Sequence, residues 1–545
     1  QNKLMINKNS LSIFSEAFSK LKYNFNQIYQ NSNFYEKKIS KTFNSSFEYK
    51  PSPHLLSSII KYQKKKYRIE DFEIETIWQN KINSKDYKKL NNFFWFFSLD
   101  LKSSKKSAQS VVLNWINNNN KYNENSWEFN TTAKRIIAWL SNHQLTYEES
   151  DQIFRSKFDH IIQKQTNHLL NEINNPNRRE NKLIGCAAII LVGLAYKNKK
   201  NYIDNGLSHL KNIVKSSIDN KGFTKSRNIR ELIFYLKYFI IIREWFKESL
   251  NIVPEHIDET IFYLGSNYAF VWQNIKQDIF FNGNFSSENH EFDQYLKRFG
   301  YTFKSQISEN GGYAILKNKK VILAMDIGAN PIKNLSHNYQ AGALSFEIFS
   351  NDKKLISNSG YFQDSKNQLN KLSKSSSSQN TLIVEDYSSC NFIKKKSNLI
   401  VYKGLKILKK NIINETNYWK ISATHDGYLE KFGLTHERVI EFYPEQSKFI
   451  GQDKIVRLNP IKEIKFDIRF HLNPSSKVMK TQDKKYILID LDEEGWKFSC
   501  DKIDINIDNG LYFGNKNSYR ENQNICISGM NIEKEQIIKW EIIKI

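Results

Sequence analysis

Apolar residues in the first half of the chain recur every three or four positions, which is the spacing of one face of an α-helix. Between about residues 50 and 275, the stretches 133–140 and 229–240 show this spacing most clearly. Short polar segments such as 117–125 and 174–181 separate the periodic stretches. Such short connections are typical of antiparallel neighbours in a helical array, and we predict about ten helices in this region.

The apolar spacing changes to every second position after about residue 295. The clearest alternation runs from Phe466 to Leu472, and a second runs from Ile503 to Ile507. Many short alternating segments with polar turns predict a sandwich of antiparallel sheets. The boundary lies within Phe285–Gln294. The predicted domains are a partly helical extension over 1–50, a helical domain over 51–285 and a β-sandwich over 286–545.

The formal net charge is +24, from 81 Lys and Arg residues against 57 Asp and Glu residues. This charge favours encounter with a polyanion such as an acidic polysaccharide or a nucleic acid. The alternative explanation is a biased base composition of the genome, because Lys, Asn and Ile are abundant along the whole chain. Nucleic acid is not an expected partner, because no helix-turn-helix, zinc-finger or ribonucleoprotein motif is present in the sequence.

Cysteine content and hydropathy limit the class of protein further. The four cysteines lie far apart and form no C-x-x-C pair, so they predict buried free thiols. The longest uncharged apolar stretch, Leu183–Tyr196, is shorter than the roughly 20 residues that cross a bilayer. It therefore predicts a core helix, and no membrane span is expected. No basic-then-apolar signal peptide is visible at the N-terminus.

A series of short motifs follows one another in a fixed order through the second half of the chain. They are Gly312–Ala314, Asp326, Tyr339–Glu347, Asn358–Gly360, Gln379–Leu382, Thr424–Tyr428, Gly433–His436 and Arg469–Leu472. Together they resemble the C-terminal domain of the heparinase II/III-like family of polysaccharide lyases. Residues of the first half extend this resemblance: Trp115, Trp127, Arg135, Trp139 and Phe281–Gly283.

The resemblance implies a multidomain fold, with an N-terminal (α/α) helical toroid followed by an antiparallel β-sandwich and a substrate groove between them. It implies a carbon–oxygen lyase that cleaves a uronic-acid polysaccharide by β-elimination. In that reaction a base removes the proton α to the carboxylate, and the carboxylate must be neutralised by hydrogen-bond donors or a cation. The alternative is a catalytically weakened or inactive glycan-binding, envelope-associated protein that retains the fold.

Four residues of the helical half are candidate substrate-binding residues. Asn181 matches a family Asn whose amide bonds the substrate carboxylate, and the alternative is a helix-capping Asn. Arg230 stands where the family has its catalytic Tyr; it is suited to neutralising a carboxylate, unless it is an exposed helix residue. Arg135 and Trp139 lie one helical turn apart and either flank the groove or pack internally.

In the sandwich, Gln340 and Gln379 stand where the family has histidines. Neither amide accepts a proton in catalysis, so both are predicted to bind sugar. The predicted groups for proton transfer are His425, Tyr339 and Tyr428. His337 lies in a polar loop and is predicted either to bind substrate or to be exposed to solvent. His471, on the polar face of an alternating strand, is expected to be structural.

The resemblance also bears on metal, partners and location. Family members with a metal site use His, Asp and His, and the aligned positions here are Gln340, Asn358 and Gln379. Amides bind zinc poorly, so we predict no metal and no cofactor. The expected partner is an acidic polysaccharide, and the oligomeric state stays open. Family membership implies the bacterial periplasm or cell envelope, and the cytoplasm remains the alternative because no signal peptide is visible.

Overall fold

The structure is a computed structural model. It describes residues 18, 20–42, 45–57, 68–69, 84–175, 182–197, 199–286, 290–395, 398–458, 463–501 and 505–545. Helices dominate the described chain up to residue 298, and antiparallel strands dominate from residue 309 onward. This order agrees with the change of apolar spacing that the sequence shows near residue 290.

The first half contributes thirteen described helices. They are α1 (20–30), α2 (Asn33–Ile39), α3 (His54–Ser57), α4 (Ser84–Asn91), α5 (Lys105–Asn118), α6 (Phe129–Ser141), α7 (His143–Thr146), α8 (Gln152–Glu172), α9 (Lys182–Ala195), α10 (Lys200–Ser217), α11 (Ile229–Leu250), α12 (Glu255–Trp272) and α13 (His290–Arg298). Asp151 begins α8 by accepting a hydrogen bond from the backbone of Phe154 at 2.7 Å. The predicted apolar face of α6 is fully buried, which confirms the helical spacing.

The second half contributes nineteen described strands and two short helices. The strands are β1 (Glu309–Asn310), β2 (Tyr313–Lys317), β3 (Val321–Asp326), β4 (Phe346–Ser350), β5 (Lys353–Ile356), β6 (Leu382–Val384), β7 (Asn391–Lys395), β8 (Asn398–Lys403), β9 (Ile407–Asn414), β10 (Trp419–His425), β11 (Leu434–Tyr443), β12 (Lys448–Arg457), β13 (Ile464–His471), β14 (Lys477–Lys480), β15 (Tyr486–Asp490), β16 (Gly495–Cys500), β17 (Ile505–Tyr512), β18 (Arg520–Asn531) and β19 (Glu535–Lys544). The helices are α14 (Gln368–Lys374) and α15 (Leu429–Phe432).

All the described strand pairs are antiparallel. The largest sheet has eight strands in the order β14-β15-β16-β19-β12-β11-β10-β9, and β1 to β5 form a second sheet in chain order. A four-stranded sheet has the order β17-β18-β13-β6, and β7 pairs with β8. Strands β11 and β12 alternate buried and half-buried residues over ten residues each, as a sheet with one face in the core requires.

One apolar core joins the three larger sheets. It contains Met325 and Phe346 from the five-stranded sheet, Ile440 and Trp540 from the eight-stranded sheet, and Ile468 from the four-stranded sheet. The predicted alternation of 466–472 is confirmed in β13, where Phe466, Ile468 and Phe470 are buried. Ile505 of the second predicted alternation is buried at the start of β17, whereas Ile503 lies outside the described residues.

The chain forms two compact units. One comprises Gln1–Ser216, Lys237–Asp258 and Glu291–Tyr295, and the other comprises Ser217–Leu236, Glu259–His290 and Leu296–Ile545. We call the second the sandwich unit. Two segments that the sequence assigned to the helical domain therefore belong to the unit that contains the strands. The domain limits 1–50, 51–285 and 286–545 stay a prediction.

The structure agrees with the predictions made for the cysteines and for the longest apolar stretch. All four cysteines are free thiols; Cys186, Cys390 and Cys526 are buried, and Cys500 is half-buried. Helix α9 is the core helix predicted from the apolar stretch that starts at Leu183. Among the described residues, no helix is both long enough and apolar enough to cross a bilayer.

Candidate functional site

The loop that leads into α11 places a buried arginine against the first strands of the sandwich unit. Arg227 has a left-handed backbone (φ 59°) and donates from Nη2 to Oδ1 of Asp326 at 2.6 Å. Its guanidinium also donates to the carbonyl oxygens of Gly311, Gly312, Gly328 and Ala329 at 2.9 to 3.2 Å. Every N–H group of the guanidinium faces an acceptor, so Arg227 acts as a cross-link within this unit.

Glycine is required beside Arg227 for steric reasons. A Cβ atom on Gly328 would lie 2.5 Å from Cζ of Arg227, and one on Gly312 would lie 2.8 Å from its Nε. Gly312 also has φ +81°, a conformation that L side chains rarely adopt. The Gly-Tyr-Ala motif at 312–314 therefore serves to admit the guanidinium of Arg227.

A polar network continues from Arg227 to the loop before β4. The hydroxyl of Tyr313 donates to the carbonyl oxygen of Arg227 at 2.6 Å, and Nδ2 of Asn282 donates to Oδ2 of Asp326 at 3.3 Å. Oδ1 of Asn282 accepts the backbone N–H of Gln340 at 3.1 Å. We call these five residues the Arg227 cluster. All are buried, so the cluster fixes the backbone around the site rather than contacting a ligand.

Two half-buried side chains, Arg230 and Asn338, lie among buried residues around Gly283, next to the Arg227 cluster. A Cβ atom on Gly283 would meet Cβ of Asn338 at 2.8 Å and Nδ2 of Asn228 at 3.1 Å, and its φ is +84°. Oδ1 of Asn338 accepts a hydrogen bond from the Tyr361 hydroxyl at 3.0 Å. Oδ1 of Asn228 accepts the backbone N–H of Arg230 at 2.9 Å. We call Asn228, Arg230, Gly283, Asn338 and Tyr361 the Gly283 site.

Arg230 is the cationic group of the Gly283 site. Its side chain is half-buried, its guanidinium lies 3.7 Å from the ring centroid of Phe285, and Nη1 donates to the Phe285 carbonyl oxygen at 3.2 Å. Burial lowers the pKa of Arg230, and the negative charge of Asp278 opposes this effect. An arginine keeps its charge under these conditions, so a partly desolvated cation is available for an anionic ligand.

Arg227 and Asp326 form a tightly coupled buried ion pair. Burial works against the charge on Arg227, but Asp326 and the neighbouring tyrosines outweigh it and raise the pKa of the guanidinium. The carboxylate of Asp326 accepts from Arg227, from Asn282 and from the backbone of Gly328. A buried pair with this many hydrogen bonds retains both charges.

A recess of about 350 Å³ adjoins the carbonyl partners of Arg227. Its walls come from two segments of the sandwich unit, namely Gly312 with 327–329 and the start of β9 at 407–410. Lys409 and Lys410 line it, and Lys410 pairs with Glu309. The recess therefore combines two exposed lysines with small and aliphatic residues.

Gln340 and Gln379 lie deep in the sandwich unit, with 1% and 2% of their surface exposed. Oε1 of Gln340 accepts from the backbone of Gly283 at 3.0 Å, and its Nε2 donates to the carbonyl oxygens of Gly360 and Ser373. Nε2 of Gln379 also donates to the Ser373 carbonyl oxygen, at 3.2 Å. The structure therefore corrects the sugar-binding role predicted for both residues, because these amide groups bond the interior of the protein.

Asn358 is the remaining residue aligned with the family metal ligands, and it too forms hydrogen bonds within the protein. Its Oδ1 accepts the backbone N–H of Asn380 at 2.8 Å, and its own backbone donates to Glu347 at 2.8 Å. Glu347 pairs with Lys354 at 3.2 Å, and both are fully buried. Within the described ranges, no group of three His, Cys, Asp or Glu side chains is arranged to hold a metal ion.

The structure corrects the proton-transfer role predicted for His425. This side chain is 1% exposed, its Nδ1 accepts the backbone N–H of Gly427 at 3.0 Å, and its Nε2 lies 3.2 Å from Nδ1 of His436. Nε2 of His436 lies 2.6 Å from Oδ1 of Asp453 and must donate to it. Nδ1 of His436 is then an acceptor, and Nε2 of His425 is the donor. Both nitrogens of His425 are used, so none is left for substrate.

Electrostatics support the same assignment for His425. Burial lowers its pKa well below the usual range, and the neighbouring His436 ring and Arg438 guanidinium lower it further. Burial opposes the charge on Asp453, but Arg438 and His436 hold the pKa of this carboxyl below its ordinary value. Nε of Arg438 donates to Asp453 at 2.8 Å, and Trp540 donates to it at 2.9 Å. We call His425, His436, Arg438, Asp453 and Trp540 the His425 network.

The two tyrosines predicted for proton transfer are buried as well. The Tyr428 hydroxyl donates to the carbonyl oxygen of Leu382 at 2.7 Å, so it bonds the backbone of the sandwich unit. The Tyr339 hydroxyl is buried in an apolar cluster with Ala341, Cys390 and Val401, and has no hydrogen-bond partner among the described residues. Burial raises the pKa of both hydroxyls. Neither position supports proton exchange with a substrate.

The remaining predicted residues divide into three cases. Arg135 and Trp139 are fully buried in α6, and the Arg135 guanidinium lies 3.9 Å from the Trp115 ring centroid and donates to Gln165. Internal packing is therefore correct for this pair, and the groove-lining alternative is wrong. His337 is half-buried directly before Asn338. Asn181 lies outside the described residues.

Sequence reasoning missed Arg227, Asn338 and Tyr361. The sequence could have pointed to two of them, because they adjoin family motifs. Tyr361 directly follows the matched segment 358–360, and Asn338 directly precedes Tyr339. No local pattern pointed to Arg227, because its hydrogen-bond acceptors lie 84 to 102 residues further along the chain.

Comparison with known proteins agrees with this fold. Residues 304–541 match the family model described as Heparinase II/III-like, C-terminal. The heparinase III BT4657 gene product has a TM-score of 0.69 at 14% identity, covering 87% of this chain and 81% of that one. Heparan sulfate lyase HepC from Pedobacter heparinus has a TM-score of 0.64 at 11% identity, covering 93% and 85%.

One curated relative matches by sequence. FtsZ-localized protein C of Caulobacter vibrioides is 24% identical over 249 residues, which are 43% of this chain and 42% of that protein. The chain thus matches less than half the length of this relative.

The order of helices and antiparallel sheets gives the chain a heparinase III-like fold, which confirms the predicted fold class. Residues 304–541 belong to the heparinase II/III-like C-terminal domain family, in agreement with the predicted family.

Proposed function

We propose that this protein cleaves an acidic, uronic-acid-containing polysaccharide by β-elimination at the Gly283 site. The observation that carries the proposal is that two Asn side chains pack against Gly283, one of them bonded to the Tyr361 phenol and the other to the backbone of Arg230, whose guanidinium is half-buried. Membership of a polysaccharide lyase-like family supports this choice of reaction.

Arg230 is suited to the hardest part of the reaction, which is stabilising the carbanion next to the carboxylate. A guanidinium carries five N–H donors in a planar fork that matches a carboxylate. One of them donates to Phe285, and partial burial strengthens the interaction of the cation with an anionic ligand. The Asn338 amide supplies a further neutral group for the same substrate.

Tyr361 is the group that we assign to proton transfer. In the elimination the base takes the proton α to the carboxylate, and the C–H electron pair forms a carbon–carbon double bond. The C–O bond electrons leave with the glycosidic oxygen, which gains a proton. Tyr361 is buried like Tyr428, but its hydroxyl donates to the half-buried side chain of Asn338, whereas the hydroxyl of Tyr428 bonds an interior carbonyl group.

The recess next to Arg227 supports the assignment of an acidic polymer. Lys409 and Lys410 line it, and ammonium groups attract the carboxylates or sulfates of neighbouring sugar units. The net charge of +24 acts in the same direction over longer distances.

A second candidate function is binding of an acidic glycan without cleavage at the bacterial cell envelope. It is supported by the amide side chains of Gln340 and Gln379 at the family histidine positions and by their complete engagement inside the protein. We expect the periplasm or envelope as its location on family grounds, with the cytoplasm as the alternative.

One assay separates the two candidates. The protein is incubated with heparan sulfate, alginate, hyaluronan and polygalacturonate, and the ultraviolet absorbance of the unsaturated uronate product is followed. Cleavage should fall by at least about a hundredfold in Tyr361→Phe, the usual scale for a general acid or base. Tyr519→Phe, at a tyrosine that is 55% exposed, is the matched control and should keep full activity.

Binding to the same polysaccharides is measured in parallel by calorimetry. Saturable binding that Arg230→Gln weakens, without any absorbance change on the whole panel, would establish the second candidate. Cleavage that survives unchanged in both Tyr361→Phe and Arg230→Gln would refute the assignment of the reaction to the Gly283 site.

A further inference from the structure

The first described helix carries an apolar face that the protein leaves exposed. Leu21, Phe25 and Ile28 of α1, with Phe18 just before it, follow the spacing i, i+3, i+7, i+10 of one helix side when counted from Phe18. They are 72%, 55%, 68% and 69% exposed, respectively. Phe34, at the start of α2, is 71% exposed, and its ring centroid lies 6.3 Å from that of Tyr29. We call these four residues and Phe34 the N-terminal apolar stripe.

The opposite side of α1 is fixed to its own unit by polar contacts. Nε2 of Gln30 donates to Oε1 of Glu172 at 2.6 Å, and Oε1 of Gln30 accepts from the Tyr122 hydroxyl at 2.7 Å. Tyr23 donates to Glu124. The helix therefore has a bound polar side and an exposed apolar side, so the exposure of the stripe follows from the way in which α1 docks.

The exposed charged residues of the segment that carries the stripe are lysines. Lys20, Lys22, Lys37, Lys38 and Lys41 are all exposed, and Nζ of Lys38 donates to the Tyr29 hydroxyl at 3.5 Å. Between residues 18 and 41 the sole acidic residue is Glu36, and it pairs with Lys164. Large apolar side chains bordered by lysines, without acidic side chains free to repel phosphate, form the pattern of a helix that lies in the surface of an anionic membrane.

We propose that the N-terminal apolar stripe binds the surface of a bilayer that contains anionic lipids. The aromatic and aliphatic side chains enter the boundary between head groups and acyl chains, and the lysines contact the phosphates. A second copy of the chain fits less well, because symmetric pairing of two stripes would bring ten lysines together. This inference is independent of the glycan chemistry proposed above.

The test is sedimentation of the full chain with vesicles of phosphatidylcholine, with and without phosphatidylglycerol. The wild-type protein should sediment with the anionic vesicles, and Ile28→Glu should reduce the bound fraction at least about tenfold by placing a charge in the stripe. Ile153→Glu is the matched control, because Ile153 is 72% exposed in the same compact unit but lies outside the stripe. It should bind like the wild type.

The lysines are tested with the double substitution Lys37→Glu and Lys38→Glu, which should remove the preference for anionic vesicles. Circular dichroism of each variant verifies that the fold is kept. The proposal is overturned if the wild type stays in solution, or if Ile28→Glu and Ile153→Glu weaken sedimentation equally. It is also overturned if Ile28→Glu changes the mass of the particle in solution, which would indicate a dimer. Vesicle binding that arises only after deletion of residues 1–17 would show that this segment covers the stripe. This result would also overturn the proposal.

Discussion

Acidification should weaken the sandwich unit, because it holds three buried, neutral histidines. These are His425, His436 and His471, each at most 2% exposed. Burial lowers the pKa of all three, and for His471 burial and the charge of Arg469 lower it to about 3. In the unfolded chain an imidazole has a pKa of about 6.5.

The direction of the effect follows from proton binding. Below about pH 6.5 the unfolded chain takes up protons that the folded chain does not bind, so stability is complete above this pH and is lost as the pH falls. Between pH 7 and pH 5 one such histidine lowers the free energy of unfolding by roughly 2 kcal/mol. His425 and His471 together lower it by roughly 4 kcal/mol, and His436 acts in the same direction.

The variant His425→Gln removes one titrating group from the His425 network. It will be less stable than the wild type at pH 7, but the difference should shrink by roughly 2 kcal/mol at pH 5. Urea unfolding at several pH values, followed by circular dichroism and tryptophan fluorescence, measures this. His54→Gln replaces an exposed histidine and should keep the wild-type dependence. An unchanged pH dependence in His425→Gln would refute the tautomers and the neutral state assigned to the network.

Three further predictions concern the site. Arg227→Met should lower the unfolding free energy by about 3–5 kcal/mol in urea titrations, because Asp326 becomes an uncompensated buried charge. Adding Asp326→Asn should restore part of this loss. A loss below about 1 kcal/mol in Arg227→Met would contradict the ion pair. Gly283→Ala should lower the melting temperature more than Gly300→Ala does. Both glycines have positive φ, but an added Cβ meets Asn338 only at Gly283. Equal effects would contradict the close packing of Asn338 against Gly283. Elemental analysis of protein purified without chelator should find no stoichiometric zinc, whereas a full equivalent that disappears in Gln340→Ala would contradict the alignment of the metal positions.

The helices and strands were predictable because their apolar spacing is local. The buried face of α6 and the alternation in β13 each depend on a few consecutive residues, and the sequence shows both patterns directly. The order of the family motifs could also be read directly from the sequence. The division into compact units was harder, because residues 217–236 and 259–290 are helical or loop-like in sequence but join the unit of the strands.

The candidate site was less predictable, because a motif identifies a residue type without its exposure. His425 lies in a matched motif, yet its function depends on His436 and Asp453 on two neighbouring strands, which leave it no free nitrogen. Gln340 stands at a family histidine position, but three hydrogen bonds commit its amide to the interior. Arg230 lies beside Phe285 in the Gly283 site, and its binding role stays a prediction.

The cross-link through Arg227 also has a consequence for the order of events during protein synthesis. Arg227 precedes Asp326 by 99 residues, so the guanidinium leaves the ribosome well before its carboxylate partner exists. At the usual rate of synthesis this interval is roughly 5–20 s. During that time the loop before α11 has no acceptors from the first three strands, and the sandwich unit cannot close around it. The unit therefore completes its folding only after β3 has emerged, however early the helices form.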